Sequence, residues 1–179
     1  MQKFATPITF LLVLFAIYWS FKSSMPTYHV DEMVPKTAFS TDRALAHVNE
    51  ISKKPHAVGF PAHKEVRDYI VNELEGLGLE TSLQTGYTAG DWGNLSRATN
   101  ILARIKGSGS GKTLLLLAHY DSNPHSSLGA SDDASGVATI LEGVRAFLSQ
   151  NKTPKNDIII LITEAEELGL HGPATFVNA

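Results

Sequence analysis

Three short polar clusters contain the residue types that bind metal ions in hydrolytic enzymes. They are His119-Tyr120-Asp121, Asp132-Asp133 and Glu166-Glu167. Because the chain contains no cysteine, a metal here must take imidazole and carboxylate ligands. Together, the clusters predict a metallohydrolase.

The surrounding elements predict that the clusters meet at one edge of a sheet. The aliphatic run Thr113 to Ala118 ends at His119, and the run Asp157 to Thr163 ends just before Glu166. Both runs are typical of central strands that are covered on both faces. A helical stripe between them completes a βαβ unit, and open parallel sheets bind ligands beyond the carboxyl ends of their strands.

Each cluster also has a simpler interpretation. His119 is able to cap a strand beside a loop aspartate, and a carboxylate of the Asp132-Asp133 pair is favoured at any helix N-terminus by the free N–H groups. Glu166-Glu167 is compatible with two solvated glutamates. The simpler interpretation is favoured for the first two clusters taken singly. Their occurrence in this order, each placed by an independent hydrophobic pattern, argues against coincidence.

The residue types also indicate a division of roles. Asp121 follows His119 by two residues and is placed to accept a hydrogen bond from its second ring nitrogen, which fixes the tautomer of a metal-binding imidazole. Of the adjacent Glu166 and Glu167, one is able to ligate a metal while the other acts as general base on a water. The cluster sequences alone do not assign the two roles.

The composition is that of an ordinary globular domain with an appendage. The chain has 179 residues, of which 43% are hydrophobic and 18% are charged, and its net charge is -3. No stripe of Lys and Arg interleaved with aromatic residues is present, so the sequence indicates no nucleic-acid partner.

The amino terminus predicts a membrane anchor over residues 1–22. Phe4 to Phe21 contains no charge and spans roughly 27 Å as a helix, close to the hydrocarbon thickness of a bilayer. A cleaved signal peptide and a buried core helix are the alternatives, but no A-x-A-like cleavage site follows the run. The flanking charges favour an inside amino terminus, which places the rest of the protein on the non-cytoplasmic side.

A proline-punctuated linker over residues 23–39 then leads to a domain at 40–179. Apolar spacing predicts helices over residues 41–51 and 62–75, and alternation predicts half-exposed strands over residues 79–85 and 100–106. The fold class predicted is α/β, with a mostly parallel or mixed central sheet and helices on both faces.

Residues 113–176 resemble the M28 family of zinc peptidases. The family motifs His-x-Asp, Gly-x-x-Asp-(Asp/Asn)-(Ala/Gly)-Ser-Gly and Glu-Glu-x-Gly-Leu-x-Gly match His119 to Asp121, Gly129 to Gly136 and Glu166 to Gly172. The stretch Lys54 to His63 is similar to the membrane-bound branch, which includes endoplasmic-reticulum and vacuolar membrane peptidases. The resemblance implies an αβα sandwich and a membrane-anchored exopeptidase, an aminopeptidase, acting on peptides.

The resemblance also implies residue roles. His119 would ligate one of two zinc ions, Glu167 the other, and Asp132 would bridge both. Asp121 would orient His119, and Glu166 would be the general base. Asp133 would support the turn, after a cis peptide bond that the family often has at this position.

The sequence departs from the family pattern in its metal ligands, and it leaves alternative functions open. The family takes two further ligands, an Asp and a His, from segments after Glu-Glu, so the 179-residue chain by itself is expected to be inactive. His171 and the loop residue His125 are not expected to replace those ligands, and His56 and His63 are interpreted as local structural or surface residues. A glutaminyl-cyclase-like enzyme with one zinc and a non-catalytic membrane-tethered binding module remain alternatives, and ligand type alone does not distinguish zinc from manganese or cobalt.

Overall fold

The computed structural model describes residues 5–25, 34–90 and 93–178. The chain divides between Met33 and Val34 into two compact units, and each unit is described by itself.

In the first unit, the described residues 5–25 form helix α1 (Ala5–Ser24). Its 18-residue stretch Pro7–Ser24 is long and apolar enough to cross a membrane by length and composition, and none of it is buried. The rings of Phe15 and Trp19 stack with centroids 5.9 Å apart. Phe4, at the start of the predicted span, lies outside the described residues.

The second unit is built on a four-stranded mixed sheet. Its strands are β1 (Thr81–Ala89), β2 (Leu95–Ile105), β3 (Leu114–His119) and β4 (Ile158–Thr163), in the order β1-β2-β4-β3. β2 is antiparallel to both of its neighbours, whereas β3 and β4 are parallel. The mixed sheet and the parallel pair confirm the predicted fold class.

Four helices accompany the sheet. They are α2 (Thr41–Ile51), α3 (Pro61–Gly76), α4 (Ser135–Leu148) and α5 (His171–Val177). The Oγ of Ser40 caps α2 by accepting a hydrogen bond from the main chain of Arg43, at 3.3 Å. The helices predicted over residues 41–51 and 62–75 are confirmed as α2 and α3.

The helices lie on both faces of the sheet, but they cover the faces unequally. Apolar residues of α2, α3 and α4 form one core with Ile101 of β2 and with Ile160 and Ile162 of β4. On the opposite face, α5 packs its Thr175 against Thr88 of β1, with 2.8 Å between the two hydroxyl oxygens. Helix α5 is only seven residues long, so much of that second face stays open.

The prediction that Leu114 to Leu117 forms a central strand covered on both faces is wrong. In the four-stranded sheet of the described residues, β3 lies at the edge, and Leu115 and Leu117 are 44% and 52% exposed. These side chains alternate with Leu116 and Ala118, which contact the core. An unbroken leucine run indicates that both faces are apolar, but it does not show that both are packed.

The predicted bounds of the first two strands are also corrected. β1 begins at Thr81 and β2 at Leu95, and the two pair continuously from Thr81 opposite Ala103 to Ala89 opposite Leu95. β2 is an internal strand of the sheet, and it is half-exposed as predicted, with Ile101, Ala103 and Ile105 buried on one face and Arg104 exposed on the other. The extra residues are largely polar or small, so hydrophobic alternation did not reveal them.

The end of the predicted linker is fastened to the domain by a buried ion cluster. Glu142 of α4 is fully buried and accepts hydrogen bonds from Nε of Arg43 at 3.0 Å, from Nε of Arg145 at 2.5 Å and from the main chain of Ser40 at 2.8 Å. The two guanidinium groups also donate to main-chain carbonyls of residues 34, 35, 36 and 38. We call Arg43, Glu142 and Arg145 the arginine clamp.

Candidate metal centre

The candidate site begins where β3 ends. His119 is buried, and its Nδ1 donates a hydrogen bond to the main-chain carbonyl of Asp121 at 3.0 Å, while the Oδ1 of Asp121 lies 3.4 Å away. Because Nδ1 has this acceptor, Nε2 is the ring nitrogen that faces the other acidic clusters. The sequence predicted the carboxylate as the acceptor, whereas the main-chain oxygen is the nearer one.

Asp132 brings its carboxylate to that ring nitrogen. Its Oδ1 lies 3.0 Å from Nε2 of His119, and 76% of its side chain is exposed. The Asp132-Asp133 peptide bond is cis.

Asp133 holds the backbone around the site. Its Oδ2 accepts a hydrogen bond from the main chain of His119 at 3.3 Å, and its Oδ1 accepts one from the main chain of Gly136 at 2.9 Å. A Cβ at Gly136 would collide with this carboxylate, which explains the glycine. Asp133 thus links the end of β3 to the start of α4.

The turn after β4 supplies Glu166 and Glu167. Their main-chain N–H groups donate to Oδ1 and Oδ2 of Asp121, each at 3.1 Å. Asp121 therefore fixes the Glu166-Glu167 turn against the end of β3. The Oε2 of Glu166 lies 3.7 Å from Nε2 of His119.

Glu167 has a different partner. Its Oε2 accepts a hydrogen bond from Nδ2 of Asn123 at 2.8 Å. The structure thus brings His119, Asp132 and Glu166 together and gives the carboxylate of Glu167 a neighbour that the sequence did not single out. Asn123 lies two residues after Asp121 in a polar loop, and no sequence pattern distinguished it from other loop residues.

The excess of acidic side chains contributes to raising the pKa of both His119 and Glu166. Burial by itself lowers the pKa of His119, but Asp121, Asp132 and Glu166 overcome it and raise that pKa to about 9. Burial raises the pKa of Glu166, and Asp121, Glu167 and Asp132 add to the rise against the opposing charge of His119. The site is thus short of positive charge.

Four other histidines of the described residues, His56, His63, His125 and His171, lie outside this group. His56, His63 and His171 are buried, so the surface alternative for His56 and His63 is wrong and the structural one holds. Nδ1 of His171 lies 2.6 Å from Oγ of Ser96. His125 is an exposed loop residue.

Comparison with known proteins identifies the family. Residues 100–179 match the sequence profile of peptidase family M28. A vacuolar membrane protease of Candida tropicalis is 30% identical over 187 residues, which cover 97% of this chain and 20% of the relative. The chain belongs to peptidase family M28. It spans about a fifth of the length of the curated relatives it matches.

Solved structures resemble this M28 chain in fold. Porphyromonas gingivalis glutaminyl cyclase is 30% identical with a TM-score of 0.62, and the match covers 71% of this chain and 46% of the cyclase. A leucine aminopeptidase precursor from Bacteroides thetaiotaomicron is 29% identical with a TM-score of 0.63, and the match covers 75% of this chain and 50% of the aminopeptidase.

The side chains at the site are of the types that bind zinc, but they are fewer than a zinc catalytic site normally has. His119 and Asp132 offer one imidazole nitrogen and one carboxylate, both common zinc ligands, and a zinc catalytic site normally has three protein ligands. Across residues 5–25, 34–90 and 93–178, no three His, Asp or Glu side chains are arranged to hold a metal by themselves. His119 and Asp132 are thus two donors of the kinds that zinc accepts, with 3.0 Å between Nε2 and Oδ1.

Proposed function

We propose that this M28 chain is part of a membrane-anchored, zinc-dependent aminopeptidase with a pair of metal ions. The observation that carries the proposal is the convergence of His119, Asp132 and Glu166 at the carboxyl ends of the parallel strands β3 and β4. The family profile supports peptide hydrolysis, and the fold shared with a leucine aminopeptidase precursor supports removal of amino-terminal residues.

The proposed roles follow the contacts. His119 would hold one metal ion through Nε2, Glu167 would hold the other, and Asp132 would lie between them, where its exposed carboxylate has room to bridge. A bound zinc supplies a Lewis acid and lowers the pKa of a coordinated water to about 7. Asp121 orients the imidazole and the Glu166-Glu167 turn at once.

Glu166 is the proposed general base. Its raised pKa moves it toward the range in which a carboxylate both accepts a proton from water and returns it to a leaving amine. Burial and the neighbouring carboxylates stabilise a proton on Glu166 until it is passed on, whereas the charge of His119 opposes this. Glu166→Gln would keep the shape and remove this proton transfer.

The test is hydrolysis of amino-terminal residues by the protein purified in detergent, with zinc content measured in parallel. We expect Glu166→Gln to lower kcat by about 1,000-fold while zinc content is retained, because general acid–base catalysis contributes about 100- to 10,000-fold. Glu65→Gln, an exposed glutamate of α3, is the matched control. Unchanged hydrolysis in Glu166→Gln, or activity that survives zinc removal, would contradict the proposal.

A glutaminyl-cyclase-like activity is the second candidate, because the cyclase of P. gingivalis shares this fold at 30% identity. Peptides with amino-terminal glutamine separate the two. A peptidase releases free glutamine and a shortened peptide, whereas a cyclase releases ammonia and keeps the peptide length. Mass spectrometry of the products decides between them.

The proposed location is a membrane, with the domain on its non-cytoplasmic side. The apolar stretch Pro7–Ser24 and the name of the Candida tropicalis relative support a membrane protein. The side follows from the flanking charges. In sealed vesicles whose cytoplasmic face points outward, an added protease is expected to spare the domain until detergent is added. Digestion of the domain without detergent would contradict this orientation.

A further inference from the structure

The turn that carries Glu166 and Glu167 starts at another buried acid, Glu164, which is 5% exposed. One carboxylate oxygen of Glu164 lies 2.6 Å from Nε2 of His63, and the other accepts a hydrogen bond from the main chain of Thr99. The main-chain N–H of Glu164 donates to Oδ1 of Asn100 at 3.3 Å. Glu164 therefore joins helix α3, strand β2 and the end of strand β4.

His63 extends this connection to the segment that follows β3. Its Nδ1 donates to the main-chain carbonyl of His56 at 2.8 Å, which leaves Nε2 facing Glu164. Its ring stacks on Tyr120, with centroids 4.8 Å apart. Tyr120 lies between His119 and Asp121 in the chain, so one imidazole touches the segment after β3 and the segment after β4.

The residue between Glu164 and Glu166 makes the turn dependent on these contacts. Ala165 is fully buried and has a φ of 59°, a left-handed conformation that a non-glycine residue keeps only when its surroundings hold it. The main chain of His171 donates to its carbonyl at 3.0 Å. Side-chain contacts hold the backbone on both sides of Ala165. Glu164 makes those before it, and Asp121 accepts hydrogen bonds from the main chain of the two residues after it.

We propose that Glu164 and His63 form a positioning pair that sets where the Glu166 carboxylate lies relative to His119. The pair belongs to none of the three acidic or histidine clusters that define the metal centre. It would act on turnover through the Glu166-Glu167 turn, without touching the substrate. The inference rests on the proposed role of Glu166 as general base.

The kinetic test compares Glu164→Ala with Glu164→Gln in the full protein, at a temperature at which every variant is folded. We expect Glu164→Ala to lower kcat by about 100-fold, the cost of misplacing a catalytic group by about 1 Å, and to leave KM within about twofold. Glu164→Gln should recover most of the lost kcat, because its carboxamide oxygen still accepts a hydrogen bond from Thr99 or His63.

Glu142→Ala is the matched control. Glu142 is also a buried, multiply bonded acid, but it lies in the arginine clamp. We expect this control to lower the melting temperature and to leave kcat unchanged. If Glu164→Ala keeps the kcat of the wild type, or if Glu142→Ala lowers kcat equally, the pair has only a structural role and the inference is overturned.

Hydrogen exchange of the peptide spanning residues 164–170 gives a readout that needs no activity. Glu164→Ala should speed exchange of the Glu166 and Glu167 amides, which are bonded to Asp121, and Glu142→Ala should not. Equal exchange in the two variants overturns the inference. A wild-type protein without hydrolytic activity would instead overturn the proposed function, while the exchange result would still decide on the positioning pair.

Discussion

Two charged clusters of the same domain balance their charges in opposite ways. In the arginine clamp, two guanidinium groups surround the single carboxylate of Glu142. At the candidate metal centre, Asp121, Asp132 and Glu166 surround the single imidazole of His119, which is the only basic side chain within ion-pair distance of them in the described ranges.

The pKa values of the glutamates in the two clusters are shifted in opposite directions. Burial by itself raises the pKa of Glu142, but hydrogen bonds from Arg145, Ser40 and Arg43 hold it below its ordinary value. Glu166 shows the opposite direction, and its pKa is raised. In the clamp, the single carboxylate is fully neutralised by its two guanidinium groups, whereas an acid surplus that the domain does not neutralise is the property expected of a cation site.

The largest expected effect is on the clamp. Glu142→Ala should lower the free energy of unfolding by about 3 kcal/mol, because it leaves two arginines without their buried partner. Urea denaturation measures the loss. The exposed Glu65→Ala is the control, with an expected change below about 0.5 kcal/mol. A similar loss for both variants would remove the distinction between the clamp and an ordinary ion pair.

The second prediction concerns metal binding and pH. Zinc requires an unprotonated imidazole, and His119 with a pKa of about 9 must release its proton first. Zinc binding should therefore tighten by about 100-fold from pH 6 to pH 8, or about tenfold per pH unit. Isothermal titration calorimetry measures the affinities. His125→Gln should keep this slope and His119→Gln should abolish it, whereas equal affinity at both pH values would refute the assignment.

The third prediction ranks the acids around His119. Asp132→Asn should lower the pKa of His119 more than Glu166→Gln does, since Asp132 is hydrogen-bonded to the ring and Glu166 lies farther away. Nuclear magnetic resonance titration of the metal-free protein measures both values. In the native chain this interaction stabilises the fold fully below about pH 6.5, and the contribution is lost as the pH rises through 9. Unchanged pKa values in both variants would disprove the acid surplus.

The smallest expected effect is a gain in stability. Because the pKa of Glu166 is raised, its ionised form is disfavoured in the folded chain. The resulting loss of stability grows as the pH rises above the pKa that Glu166 has in the unfolded chain. Glu166→Gln should stabilise the metal-free protein at pH 7 by about 0.5 kcal/mol, a small gain because a third of the side chain is exposed. The gain should vanish near pH 4, and a loss of stability at pH 7 would count against the account.

The sequence predicted those parts of the domain that repeat a simple pattern. The aliphatic runs that end at His119 and before Glu166 gave β3 and β4 and the edge at which they meet. Apolar spacing behind Ser40 gave α2. These elements are predictable because local hydrophobic periodicity and capping depend on few residues that are close in the chain.

The parts that were missed depend on distant partners. The edge position of β3 depends on which strand pairs with β4, and the leucine run carries no such information. The partner of Glu167 is a loop asparagine, and the partner of Glu164 is a histidine about a hundred residues earlier. Such contacts follow from the assembled fold rather than from spacing.

Anomalous scattering at the zinc edge, from crystals of the full protein grown with zinc, would show whether His119 and Asp132 bind the same metal ion. We expect a peak about 2.0–2.2 Å from Nε2 of His119 and from a carboxylate oxygen of Asp132, with Glu166 outside the bonding distance. A zinc peak bound elsewhere, with His119 and Asp132 still bonded only to each other, would contradict it.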